Sequence, residues 1–394
     1  MGTGANQGEL RKIPAERRIG IVQRVVPRYR AAFFDYLAQV LSGELCVFAG
    51  RAPASEAIPA VEHLAYARFA RAQNLHFFDA GFPLYFLWQL NLSSWLAGWD
   101  PELLIVEANP RYLSTIGAVR WMHQRGRPVI GWGLGASPIL AGGSGFRQGL
   151  ASGYANWRRK FLMRMDGIIA YSHKGAREYH ELGIPTDRIF VAINSVTPRP
   201  ASPPPKREPR FRDKPVVLFV GRLQLRKRLD LLLRACANLQ DMDQPELWIV
   251  GDGPARRDYE TLASQVYPRT RFLGALFGED LERCFSQADL FVLPGTGGLA
   301  VQQAMAHGLP VIVAEGDGTQ DDLIQPDTGW QVPPRDVETL TFVLREALSD
   351  PVRLRQMGEA AFQIVLQVAN IETMAQVFLQ AIEAVLPDAA GRIR

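Results

Sequence analysis

The sequence predicts an α/β protein built from two doubly wound parallel-sheet domains. Three observations predict it. Short apolar runs alternate with amphipathic helical segments along most of the chain. A proline-rich stretch interrupts that rhythm once, near the middle. The 394 residues also exceed what a single core, typically serving about 150 residues, can organise.

The opening residues MGTGANQGELRKIPAE are polar and lack the apolar centre of a signal peptide, so 1–17 read as a flexible tail and the chain as cytoplasmic. From Arg18 the first β-α unit follows, RIGIVQRV and then YRAAFFDYLAQVL, with apolar residues three or four apart in the second piece. The pattern returns at Leu45–Ala49, at Leu103–Glu107 with a helix through Gln124, at Val129–Gly131, and at Gly167–Ser172 with a helix to Leu182. These units make an N-terminal domain over 18–195. Its most apolar segment, Phe77–Leu104, is broken by Asp79, Pro83, Gln89, Asn91 and Asp100, so no run reaches the roughly 20 apolar residues of a membrane span.

Seven prolines between Asn194 and Pro215 forbid a regular helix or central strand, which places a linker at 196–215. Beyond it the rhythm restarts with PVVLFVG, LDLLLRACANL, ELWIVGDG, DYETLASQV, TRFLGAL, EDLERCFSQA, DLFVLPG, GLAVQQAMAHG and LPVIVAE, a second domain over 216–370. Residues 371–394 continue as helix and are free to return to the N-terminal domain.

With 47% hydrophobic and 21% charged residues the chain is too apolar to be disordered. A net charge of +4 suits anionic partners, but the charges are scattered and do not point to nucleic acid. Cys46, Cys236 and Cys284 lack zinc or disulfide spacing and read as reduced, buried thiols. The six histidines show no nucleophile or metal arrangement, and no D-x-D motif is present.

In open parallel sheets, ligands sit beyond the carboxyl ends of the strands. Four loops stand there: Gly221-Arg222-Leu223 with Lys227 and Arg228 shortly after, Gly251-Asp252-Gly253-Pro254, Pro294-Gly295-Thr296-Gly297-Gly298-Leu299, and Glu315-Gly316-Asp317-Gly318-Thr319. In the third, glycines lead into a helix and let backbone N–H groups approach an anion, so a phosphate fits. A tight turn with no ligand would use the same residues. Tyr154, Trp157, Arg158, Arg159, Lys160, Phe161 and Arg164 make a basic, aromatic helical patch, either packed on its domain or docked on an anionic membrane, with Phe82–Trp99 as a second greasy surface.

Taken in order, VGRLQLRKRLDLLLRA, WIVGDGP, RFLG, ADLFVLPG and GLAVQQAMAHGLPVI resemble the C-terminal domain of the retaining GT-B glycosyltransferases, specifically glycosyltransferase family 4, the glycosyl transferases group 1. The resemblance covers about residues 166–350; the first 165 match only in rhythm. It implies two Rossmann-like domains facing a cleft. It also implies metal-independent transfer, with retention, from a nucleoside-diphosphate sugar to a glycan, lipid-linked or small-molecule acceptor. A UDP-sugar is the favoured donor, and no cofactor is implied. By the same resemblance Arg222 and Lys227 hold the donor diphosphate, and Gly297, Gly298 and Leu299 offer it backbone donors. Gly221 and Gly253 line the donor, Phe272 and Leu273 flank its base, and Gln303 meets the ribose.

Two departures stand out. The family's paired glutamates fall on Gly295 and Gln303, and Gly133-Leu134 occupy a loop where many members carry a histidine. Asp317 is a substitute acid if its loop is not simply a solvated acidic turn with Asp322 near a helix N-terminus. Glu107, Asn109 and Gly133 follow N-domain strands and are the acceptor-side candidates, with a buried paired carboxylate or a loop cap as the other reading of Glu107. A catalytically degenerate relative that binds nucleotide or sugar as a partner subunit therefore stays open. A nicotinamide dehydrogenase does not, because no GxGxxG follows the first strand of either half.

Overall fold

A computed structural model describes residues 17–53, 56, 58–78, 85–136, 146–211, 213–297, 299–316 and 318–386. Its contacts divide it into two compact units: one runs to Tyr171 and adds Gly175–Ala192 and the chain from Ala375, and the other comprises Ser172–Lys174 and Ile193–Met374.

The first unit contains, in order, β1 (Arg18–Val25), α1 (Arg28–Val40), β2 (Glu44–Gly50), β3 (Arg68–Arg71), β4 (Asn74–Phe77), β5 (Phe86–Gln89), α2 (Leu92–Trp99), β6 (Leu103–Glu107), α3 (Leu113–His123), β7 (Val129–Gly133), α4 (Phe146–Leu162), β8 (Gly167–Ala170), α5 (His173–Glu181, its first two residues counted with the second unit) and β9 (Ile189–Val191). Seven strands form a parallel sheet in the order β3-β2-β1-β6-β7-β8-β9. Leu103, Leu104, Ile105 and Val106 of β6 are fully buried, as a strand covered on both faces requires. The alternation of the sequence did not foresee the β4–β5 pair, an antiparallel hairpin whose second strand falls in the segment read only as apolar.

The second unit holds β10 (Val216–Val220), α6 (Leu229–Ala237), β11 (Glu246–Val250), α7 (Arg256–Val266), β12 (Thr270–Gly274), α8 (Gly278–Gln287), β13 (Leu290–Leu293), α9 (Leu299–Ala306), β14 (Val311–Ala314), β15 (Gly329–Val332), α10 (Val337–Ser349) and α11 (Pro351–Gln367). Its sheet order is β12-β11-β10-β13-β14-β15, all parallel. In chain order that is 3-2-1-4-5-6, the doubly wound arrangement whose direction of growth reverses between β10 and β13. Two helix starts are written locally. Asp336 accepts the Thr339 N–H at 2.9 Å to cap α10, and Asp350 accepts the Arg353 N–H at 3.0 Å, with Pro351 opening α11.

The proline-rich 196–215 has no helix or strand among its described residues. Arg207 anchors it: its guanidinium donates to the carbonyls of Phe285 (2.9 Å), Ala288 (3.1 Å), His307 (2.7 Å) and Gly308 (3.3 Å), at the ends of α8 and α9. Carbonyl-rich helix C-termini suit a cation. Burial and the neighbouring Arg355 charge pull the Arg207 pKa down to about 10.

The last helix, α12 (Ile371–Val385), begins in the second unit, where Ile371 N–H bonds Thr197 O at 3.1 Å, and from Ala375 belongs to the first. There Phe378 packs edge-on to Phe33 and Trp132, with ring centroids 4.9 and 5.0 Å away. The stretch Pro351–Val385 is long enough for a membrane span and its most apolar window has a mean hydropathy of 1.2, yet half of that window is buried and the α11 ladder stops at Gln367.

Candidate functional site

The reversal between β10 and β13 places two glycine-bearing loops side by side. After β10 come Gly221, Arg222 and Leu223, then a 3-10 turn at Leu225–Lys227 that ends on Arg228 in the left-handed region (φ 53°). After β13 come Pro294, Gly295, Thr296 and Gly297, leading to Leu299 at the start of α9.

The loops are clasped together. Thr296 N–H donates to Arg226 O at 3.2 Å, the Arg226 guanidinium lies 3.4 Å from Thr296 Oγ1, and the Lys227 ammonium donates to Thr296 O at 2.7 Å. Gly295 is pressed on the backbone of the turn. A Cβ there would clash with Arg226 O and the Lys227 carbonyl carbon and lie 2.5 Å from Lys227 Cα. The position that carries a glutamate in the resembling family therefore has no room for any side chain. Gly297 has φ +96°, and a Cβ there would stand 2.7 Å from Lys227 Nζ, so a lysine head and a bare peptide share one spot. Burial, then the Arg226 charge, pulls the Lys227 pKa down to about 8.

The neighbouring loop after β11 is just as close. Gly251 takes φ +136° and a Cβ there would clash with Gly221 O, and a Cβ on Gly253 would meet Leu223 N at 2.8 Å. Leu223 itself is fully buried and pairs with this loop through Asp252 O (3.0 Å) and Ala255 N (3.0 Å). Of the sequence-predicted donor residues, Gly221, Lys227, Gly297 and Gly253 thus belong to one cluster of packed loops. Half-buried Arg222 sits on the first of them, and Leu299 opens α9.

The others lie elsewhere. Phe272 and Leu273 are in β12, the edge strand, with β11 between them and β10. Gln303 is half-buried, past the first turn of α9, and its carbonyl lies 2.8 Å from His307 Nδ1. Gly298 and Asp317 fall outside the described residues. Near Asp317, Asp322 is not a solvated turn residue: 9% exposed, it accepts the His173 N–H at 2.8 Å within the second unit.

In the first unit Glu107 ends β6 and accepts the Arg24 N–H at 2.6 Å. Burial raises its carboxyl pKa, against the opposing pull of the Arg24 N–H and charge and of the Tyr112 hydroxyl. Asn109 accepts from Arg111 N at 3.2 Å and so stabilises its own turn. Gly133 faces the Tyr179 hydroxyl, which a Cβ would meet at 2.7 Å. The basic, aromatic patch on α4 is divided. Arg158 and Phe161 are buried, Arg158 donating to Ala136 O, while Arg159, Lys160 and Arg164 are exposed.

Sequence reasoning missed Gln302, Thr296 and Arg226. Gln302 is 2% exposed; its amide donates to Asn194 O at 2.6 Å and accepts the Val196 N–H at 3.1 Å, tying the start of the linker to α9. The signal was present in the pair Gln302-Gln303, since adjacent helical residues point about 100° apart and cannot both face one ligand.

Residues 204–364 match the family model described as Glycosyl transferases group 1. Over these residues the chain is similar to the glycosyl transferases of group 1. Among curated relatives of this domain, the sulfoquinovosyl transferase SQD2 of Arabidopsis thaliana is 34% identical over 155 residues, 38% of this chain and 29% of that protein. A GDP-mannose-dependent monoacylated alpha-(1-6)-phosphatidylinositol monomannoside mannosyltransferase of Corynebacterium glutamicum is 30% identical over 247 residues, 57% of this chain and 65% of that protein. The chain thus spans less than two thirds of the length of both relatives. The solved sucrose-phosphate synthase of Thermosynechococcus elongatus superposes with a TM-score of 0.69 at 21% identity, over 93% of this chain and 98% of that one. At that identity the likeness speaks for the fold, which is of the GT-B type with two Rossmann-like domains.

Proposed function

We propose that this protein transfers a sugar from a nucleoside-diphosphate sugar to a glycan, lipid-linked or small-molecule acceptor, with the donor diphosphate held where the β10 and β13 loops meet. The observation that carries the reading is the approach of Lys227 Nζ to the bare Gly297 peptide at the sheet's reversal point. Donor binding exchanges the Thr296 carbonyl for a phosphate oxygen at the lysine. Arg222 adds a second cation, and the glycine turn adds N–H groups. These groups neutralise charge that grows on the leaving diphosphate as the glycosidic bond breaks, and a preorganised donor of this kind is worth about 3–4 kcal/mol of barrier. We further propose that attack comes from the face the diphosphate leaves, the phosphate taking the acceptor proton, so that configuration is retained. UDP-sugars are our first choice of donor. The relative named as GDP-mannose-dependent makes GDP-mannose the second.

The test is a donor panel of UDP-, GDP- and ADP-sugars, assayed for hydrolysis and transfer, with the product anomer read by NMR. A second reading, a binding subunit without turnover, is favoured by the crowding at Gly295 that leaves the family's carboxylate no place. Tight binding of one donor with neither hydrolysis nor transfer to any acceptor would select it.

A further inference from the structure

A two-stranded antiparallel sheet on a protein surface ordinarily buries one face and shows water a polar one. The β4–β5 hairpin does not. On its inner face Leu87 is fully buried and Gln89 is 2% exposed, while Tyr85, leading into β5, is 2% exposed and packs on Tyr112. Asn74 and His76 of β4 share that inner face, and the outer face is the apolar one. Leu75 and Trp88 are cross-strand partners, 44% and 43% exposed, Phe77 is 43% exposed, and Leu90, just past β5, is 59% exposed. Large exposed apolar surfaces mark sites of contact.

The charge beside this face says with what. Phe86, opposite Phe77, lies 6.4 Å ring to ring from Trp157 of α4. That helix, FRQGLASGYANWRRKFL, carries four cations and no acid, and its Arg159 and Lys160 are exposed. At the other edge Arg51, whose carbonyl accepts from Asn74 in β4, and Arg71, three residues before β4, both pair with the single carboxylate of Glu62, leaving a local excess of positive charge. An aromatic-aliphatic face flanked by lysine and arginine matches the headgroup region of a negatively charged bilayer, where Trp and Phe enter the interface and cations meet lipid phosphates.

We propose that the outer face of the β4–β5 hairpin, with the exposed cations of α4, docks the first unit on an anionic lipid surface. The inference is independent of the donor site, so each reading can fail alone.

Full-length protein is mixed with vesicles of phosphatidylcholine alone or with about a third phosphatidylglycerol, then sedimented; tryptophan quenching by brominated lipid is read in parallel. We expect binding to the anionic vesicles, at least tenfold weaker binding to the neutral ones, and weakening with salt. Phe77→Ser/Trp88→Ser should lose at least tenfold in affinity with an unchanged circular dichroism melt, and Lys160→Glu should lose binding to anionic vesicles alone. Quenching of wild-type tryptophan needs no variant and stands even if the double substitution unfolds. The proposal is overturned if wild-type protein binds neither vesicle, if bound protein shows no quenching, or if the variants bind like wild type. It is overturned equally if the double substitution abolishes only a concentration-dependent dimer seen by light scattering, which would make the face a contact between copies.

Discussion

Removing the Lys227 ammonium, by substitution or by pH, should weaken diphosphate binding in a way that the structure quantifies. Burial and Arg226 hold the Lys227 pKa near 8, so the free protein carries the charge at pH 7 and has mostly lost it at pH 9. A bound diphosphate favours the protonated form, so binding takes up a proton above pH 8. The charged fraction falls from about nine tenths to about one tenth over those two pH units, and affinity should fall about tenfold with it. Lys227→Ala should lose a charge-assisted hydrogen bond, about 1.5–3 kcal/mol, or roughly 10- to 150-fold at pH 7, and its affinity should be nearly flat with pH. Calorimetry with an intact nucleotide sugar between pH 7 and 9 reads both slopes. A flat wild-type profile, or a variant that keeps the wild-type slope, refutes the assignment of the diphosphate to this lysine.

Other substitutions test the surroundings. Gly295→Glu, which restores the family's residue, should weaken binding and lower the thermal midpoint, because its Cβ collides with the Arg226–Lys227 backbone; a tighter complex would show that the loops part readily. Gly297→Ala, at φ +96°, should cost about 1–2 kcal/mol in urea unfolding. Gln302→Ala removes the buried amide that bonds Asn194 O and Val196 N–H and should cost about 1–3 kcal/mol, with no change in diphosphate affinity. Glu107 has a raised folded pKa, so it opposes stability as pH climbs from the unfolded value through the folded one. Glu107→Gln should therefore flatten that part of the stability profile, read as urea midpoints between pH 4 and 7.

Much of the fold was legible because it is local chemistry repeated. Runs such as LLIVE and VVLFV are buried on both faces and read as continuous apolar strands, and Asp336 and Asp350 announce their helices. The glycines of the donor loops were legible as places where backbone approaches backbone. What they approach was not: Gly295 and Gly253 are glycine because other loops press on them, a tertiary fact with no signal along the chain. Arg207 and Gln302 escaped for the same reason, since their partners lie roughly 80 to 110 residues away. The hairpin escaped because its strands are only four residues long and inverted, with polar Asn74, His76 and Gln89 turned inward and apolar Leu75, Phe77 and Trp88 exposed.

Because Phe378 fills a space bounded by Phe33 and Trp132, the first unit is closed by residues synthesised after every part of the second. On the ribosome the second unit can finish folding while the first still exposes those two rings, reversing the usual order in which earlier sequence completes earlier. Phe378→Ala, expected to cost about 3–5 kcal/mol, would then act on the opposite end of the chain, loosening the amino-terminal sheet and leaving the sheet that precedes the helix intact.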